Sequence, residues 1–141
     1  MNIDDLFLLK DINYSLRNSY LVLKAYEKYS KGNKNIDFQL KQYQKYINLT
    51  SSLIKQENSK IANLNFFERN LLDLKFLLCS IFRLDKYFYI SLLEENISKG
   101  MRRVILSDGS YREASKDIKL LTRYYLSIET RLLLDIRKSK K

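Results

Sequence analysis

The chain has no proline, no histidine and no tryptophan, and only three glycines and one cysteine among its 141 residues. Helix interiors tolerate neither proline nor glycine well, whereas sheet proteins need both residues for their turns. Their scarcity therefore favours long helices joined by few loops. A chain of this length is one domain by the usual prior and can bury a core. We expect an all-α bundle, with a single helical domain over residues 1–138 and a basic, frayed tail over 139–141.

The missing residue types also exclude most catalytic chemistry. Without histidine, the commonest general base and the commonest transition-metal ligand are absent. A single cysteine excludes a zinc or iron–sulfur site within one chain, and the isolated glycines form no phosphate-cradling loop. The carboxylates of Glu94 and Glu95 diverge by about 100° on a helix, so they do not converge on one ion. We expect a non-enzymatic protein with no catalytic residue, no metal site and no cofactor.

The sequence offers no candidate for a targeting or membrane-spanning segment. The start is acidic, at Asp4 and Asp5, where a secretory signal would be basic. The longest uncharged stretch covers only residues 76–82, far fewer than a bilayer requires. The single cysteine, Cys79, cannot form a disulfide within the chain, which fits a reducing compartment. We expect an intracellular, cytoplasmic protein that does not contact a membrane.

The spacing of apolar residues predicts four main helices. The first covers about residues 3–31, the second about 37–60, and the third 65–99, ending at Gly100. The apolar residues of the third helix cover more than half of its circumference, so we expect this helix to lie at the centre of the bundle. Residues 101–109 are predicted to form a connection between helices. Within it, residues 104–106 are expected either to form a short strand or to pack against the bundle. The fourth helix is predicted to begin with a capping box from Ser110 to Glu113.

Positive charge is concentrated in the last third of the chain. Residues 100–141 hold eleven Lys and Arg against five Asp and Glu, which accounts for six of the ten surplus charges. Four of these cations, Arg112, Lys116, Lys119 and Arg123, follow spacings of four, three and four residues. On a helix they lie within about 60° of one another and form a basic stripe. Like charges at such spacings repel slightly, which favours an anionic partner over a merely solvated surface. With two nearby arginines, the predicted nucleic-acid-binding residues are Arg102, Arg103, Arg112, Lys116, Lys119 and Arg123.

Apolar and aromatic residues beside this stripe suggest further contacts. Tyr111 and Tyr124 adjoin the stripe in sequence and have the chemistry to stack on bases. Leu134 points toward the basic face, and the surplus of apolar surface around it suggests a subunit interface. A wide buried face in a compact bundle explains the same surplus equally well. We expect other protein subunits as partners, in a homo- or hetero-oligomer, with a DNA or RNA backbone as the possible polyanion.

One family resemblance rests on the third and fourth predicted helices. The apolar segment 74–78 is followed by residues 81–87, which contain the pattern Arg-x-x-Lys at Arg83 and Lys86. A loop containing Leu106, Ser107, Asp108 and Gly109 then leads into a final helix, which ends with residues 125–136. These features resemble the helical domain of a GINS subunit of the archaeal and eukaryotic DNA replication machinery, over residues 65–136. The resemblance implies a scaffold that packs with sister subunits and has no catalytic activity, in which Arg83 and Lys86 have structural roles.

Two other classes fit the size and charge of the chain. One is a small basic subunit of a ribonucleoprotein, similar to those of type III CRISPR effectors, whose basic stripe would line a nucleic-acid channel. The other is a viral or plasmid nucleic-acid-binding protein, although the glycine turn of a helix-turn-helix is absent.

Overall fold

The computed structural model of the chain describes residues 1–29, 34–59, 61 and 86–139. In these ranges the chain forms four α-helices and no strand. We label them α1 (Ile3–Tyr29), α2 (Lys34–Gln56), α3 (Lys86–Ser110) and α4 (Lys116–Ser139). The predicted all-α bundle is therefore confirmed. None of these four helices is long and apolar enough to cross a membrane.

The centre of the described bundle is α1. This helix packs against α2, α3 and α4, whereas α3 packs mainly against α1 and α4. Three small polar residues of α1 are buried, and each bonds to a different neighbour: Asn13 to α2, Ser15 to α3 and Ser19 to α4. The central position predicted for the third helix thus belongs to α1 in the described residues. Residues 65–85 of that predicted helix lie outside them.

The helix predicted to end at Gly100 instead continues through it to Ser110. Gly100 lies where α3 meets α1 and α4. A Cβ atom there would lie 3.1 Å from the Tyr125 hydroxyl and 3.6 Å from the Cβ of Ser15. The glycine therefore permits a close approach between helices and does not terminate one. The predicted connection over 101–109 and the possible strand over 104–106 are both wrong, since these residues are helical and Val104 is buried.

The turn between α3 and α4 is held by the N-terminal end of α1. Asp5 accepts hydrogen bonds from the backbone N–H groups of Ser115 and Asn2, and Asp4 accepts one from the N–H of Glu113. Burial raises the pKa of Asp5, but these hydrogen bonds outweigh it, so the pKa is lowered overall. The predicted capping box from Ser110 to Glu113 is wrong, because α4 begins only at Lys116.

Candidate nucleic-acid interface

The outer face of α4 is a run of exposed residues opposite its buried side. On the buried side lie Ile118, Leu121, Tyr125, Leu132 and Ile136, with Ile128 partly buried beside them. The outer face, which we call the α4 basic face, consists of the exposed residues Lys116, Leu120, Arg123, Ser127, Arg131 and Leu134.

The α4 basic face carries cations without carboxylates among them. The helix has three acidic residues, and one of these, Glu129, is fully buried. Asp117 and Asp135 both lie about 100° around the helix from Lys116. Arg131 is exposed and continues the stripe beyond Arg123, although it is not among the residues predicted from the sequence. The face itself therefore carries only cations, while Asp117 and Asp135 lie along one edge of it, about 40° around the helix from Arg131.

Two of the predicted cations are not free members of this face. The ammonium of Lys119 lies 3.8 Å from a carboxylate oxygen of Asp108 on α3, with both side chains partly exposed. An exposed pair of this kind contributes little stability, so it competes weakly with a polyanion. Arg112 is exposed in the turn before α4, and its Nε donates to the carbonyl of Gly109 at 3.3 Å. Arg112 is therefore not part of the helical stripe.

Arg102 and Arg103 lie on α3, and Arg103 turns toward α1. Its guanidinium carbon is 4.4 Å from the centroid of the Tyr14 ring, and that of Arg17 is 5.9 Å from the same centroid. Arg17 is oriented by Asn13, whose side-chain oxygen accepts from the Arg17 Nε at 2.9 Å. Two guanidinium groups from different helices are thus held around one ring.

Sequence reasoning missed this Arg17–Tyr14–Arg103 cluster because Arg103 is far from the other two residues in the chain. The spacing within α1 gives no sign that Arg17 approaches a residue of α3. Only the pairing of the two helices brings the cluster together. Of the four cations predicted to form one helical stripe, Lys116, Lys119 and Arg123 lie on α4, whereas Arg112 lies in the turn before it. The two nearby arginines, Arg102 and Arg103, lie on α3.

Beneath the surface, α4 contributes a buried polar cluster around Glu129. The hydroxyl of Ser19 donates to Glu129 Oε2 at 2.8 Å, while Tyr43 and Tyr125 are fully buried beside it. Among the described atoms, the other carboxylate oxygen and both phenol hydroxyls make no hydrogen bond. Burial raises the pKa of Glu129 to about 7, against the opposing effect of the Tyr43 and Ser19 hydroxyls. Tyr43 lies outside strict hydrogen-bond geometry, so we regard its contact with Glu129 as weak.

The position of Glu129 differs from that of the other acidic residues of α4, Asp117 and Asp135, which are not buried. Glu129 is one helical turn from Tyr125 and so shares its buried side. That register was visible in the sequence, but a glutamate is almost never fully buried, so its burial is not expected from pattern alone. The cluster is closed to solvent and cannot contact a macromolecular ligand.

A groove of about 580 Å³ opens between α2 and α4. Its carboxylates, Glu57, Asp117 and Asp5, come from the ends of helices that meet at one end of the bundle. In the described part of the chain, no group of three or more potential ligands is placed to hold a metal ion. The apolar lining of the groove includes Tyr46, Leu49, Leu53, Leu120, Leu121 and Tyr124.

No known protein family, curated protein or solved structure matches this chain significantly.

Proposed function

We propose that this protein is a non-enzymatic helical subunit of a nucleic-acid-handling complex in the cytoplasm, and that its α4 basic face contacts the phosphodiester backbone. The proposal depends on one observation above all. Lys116, Arg123 and Arg131 are exposed along one helical face on which no carboxylate is interspersed. Such a face attracts polyanions strongly and with little preference for sequence.

The assembly half of the proposal is supported by apolar surface next to the same face. Leu120, Tyr124 and Leu134 are each about half exposed. Leu120 and Tyr124 also line the groove between α2 and α4. Because Glu57 and Asp117 lie at one end of this groove in a chain of net charge +10, a partner helix with apolar anchors and a flanking cation fits it best.

In its most specific form, the proposal is a GINS-type replisome scaffold that packs with sister subunits. The part of that resemblance over residues 74–85 lies outside the described residues. The loop that it places at 106–109 is helical, and the turn comes after Ser110. The alternative is a small basic subunit of a ribonucleoprotein of the type III CRISPR kind, or a viral or plasmid nucleic-acid-binding protein.

The test of polyanion contact is charge reversal on the α4 basic face. We expect Lys116→Glu/Arg123→Glu to weaken binding of a fluorescein-labelled oligonucleotide by about tenfold or more at about 100 mM salt. The matched control is Lys41→Glu/Lys55→Glu, which makes the same charge change at exposed positions of α2. Equal weakening by both pairs would show that only net charge matters and would contradict the proposed face.

A second experiment separates the scaffold from the lone nucleic-acid binder. The native complex is purified with and without nuclease treatment, and its protein composition is measured. A scaffold retains a stoichiometric protein partner after nuclease digestion, and Leu49→Arg/Leu120→Arg in the groove releases that partner. A lone binder loses all associated protein when the nucleic acid is digested.

A further inference from the structure

Contacts between the helices fix the heights of the surface cations along the bundle. Asp5 bonds to Ser115 and Ser19 to Glu129, and each pair is separated by 110 residues in sequence. A constant offset means that α1 and α4 run parallel and in register. Arg123 of α4 is therefore level with residue 13 of α1.

The same reasoning places α3. Ser107 bonds to Asp11 and Arg103 stacks on Tyr14, so α3 runs antiparallel to α1. Arg103 is level with residue 14 of α1, and Arg102 with residue 15. At 1.5 Å per residue, Arg102, Arg103 and Arg123 lie within about 3 Å of one height.

Two more cations lie close to this height. Arg17 is four residues above the level of Arg123, and Lys119 is four residues below it, or about 6 Å in each direction. The pair between Lys119 and Asp108 fits the same register. The five cations thus occupy a band about 12 Å high that crosses three neighbouring helices. We call Arg17, Arg102, Arg103, Lys119 and Arg123 the cationic belt.

We infer that the cationic belt is the path of a single-stranded nucleic acid, which crosses α4, α3 and α1 roughly perpendicular to their axes. The inference rests on the proposed function and names both the form of the polyanion and its route. On this inference, the contact with the nucleic acid is not confined to the α4 basic face but extends to Arg17 and Arg103. Lys116 then lies near one edge of the cationic belt.

The electrostatics of the belt favour an anionic strand. Of the described carboxylates, only Asp11 and Asp108 lie within the height of the belt and are partly exposed, and each is engaged, with Ser107 and Lys119 respectively. The exposed carboxylate of Asp117 lies about 3 Å below the belt. The face of Tyr14 is covered by Arg103 at 4.4 Å, so the ring holds guanidinium groups in place and does not offer a platform for a base. Guanidinium groups held in this way lose little freedom when they bind phosphate.

The shape of the belt favours a single strand over a duplex. Neighbouring helix axes are about 8–10 Å apart, so a belt across three helices follows a convex surface for about 20 Å. A duplex is straight on this scale, so its backbone follows the curved surface less closely and meets the cations at the two ends of the belt less well. A flexible strand can follow the curve and meet every cation.

The test uses Arg17→Gln/Arg103→Gln in the full chain, with Lys41→Gln/Lys55→Gln as the control of equal charge. The probes are a fluorescein-labelled oligo-dT of ~20 nucleotides, an oligo-U of the same length and a duplex of the same length, with binding followed by fluorescence anisotropy over a range of salt concentrations. Two lost phosphate contacts should reduce the slope of log K against log salt by about 1.4 and weaken single-strand binding about tenfold at about 100 mM salt. Duplex binding should be weaker and should respond to both variants alike.

A separate measurement guards against a folding defect. Far-ultraviolet circular dichroism and the urea midpoint of Arg17→Gln/Arg103→Gln should match those of Lys41→Gln/Lys55→Gln, so that a loss of binding is not a loss of fold. Equal affinities of Arg17→Gln/Arg103→Gln and the control would overturn the belt. The proposed function would survive that result if Lys116→Glu/Arg123→Glu still lost binding. A wild-type chain that binds an acidic protein but no oligonucleotide would overturn both.

Discussion

Among the described residues, Glu129 is a charged residue type in an environment that disfavours its charge. Its carboxyl group is fully buried, and its hydrogen bond comes from an uncharged hydroxyl, that of Ser19. Because no described cation pairs with it, burial raises its pKa from 4.5 to about 7. The folded state therefore binds a proton more tightly than the unfolded state does. Stability that is fully present below about pH 4.5 must be lost as the pH rises through 7.

Replacing the carboxyl group by an amide should remove this pH dependence. Between about pH 5 and pH 8 we expect the wild type to lose about 2 kcal/mol of unfolding free energy that Glu129→Gln does not lose. The measurement is urea unfolding followed by circular dichroism at both pH values. Glu95→Gln, at an exposed position of α3, is the control and should behave like the wild type. Parallel pH profiles for the wild type and Glu129→Gln would show that the carboxyl group is not held neutral.

At the scale of the element, the helices follow from local sequence, but their ends do not. Apolar spacing places α1 and α2 to within a few residues, because each buries a stripe that repeats at helical intervals. The prediction of a helix end at Gly100 is wrong. Glycine is favoured both at the end of a helix and where two helices cross closely, so the residue alone does not tell which of these is present. At Gly100 the nearby Ser15 and Tyr125 show that it is a close crossing. The predicted start of α4 is wrong, because α4 begins at Lys116, and the preceding residue, Ser115, donates its N–H to Asp5 from the other end of the chain.

The two described glycines of α3 provide a matched test of that explanation. At Gly109 an added Cβ would meet no atom within 4 Å, so Gly109→Ala should stabilise the helix by about 0.5–1 kcal/mol. Gly100→Ala makes the same gain in helix propensity but forces the Tyr125 hydroxyl away from a 3.1 Å contact, so the gain should be cancelled or reversed. Urea midpoints of both variants check this. Equal stabilisation would mean that the crossing at Gly100 is loose.

At the scale of the whole molecule, the sequence predicts the all-α class and an exposed basic face, but not how the cations are arranged. Lys116 and Arg123 can be assigned to the outer face because opposite sides of one helix are fixed by spacing alone. Arg17 cannot be assigned in this way, since its place beside Arg103 depends on how α1 and α3 pair. The buried contact between Ser19 and Glu129 could not be predicted for the same reason, because a contact between distant residues produces no periodic pattern in the sequence.

The most direct measurement is a lysine footprint of the wild-type chain, with and without a saturating single-stranded oligonucleotide. Lysines are acetylated briefly and the extent at each position is read by mass spectrometry. We expect Lys116 and Lys119, beside the cations of α4 and α3, to become protected, while Lys41 and Lys55 on the outer side of α2 react as before. Protection spread evenly over all four lysines, or confined to α2, would contradict a polyanion seated on the α4 side of the bundle.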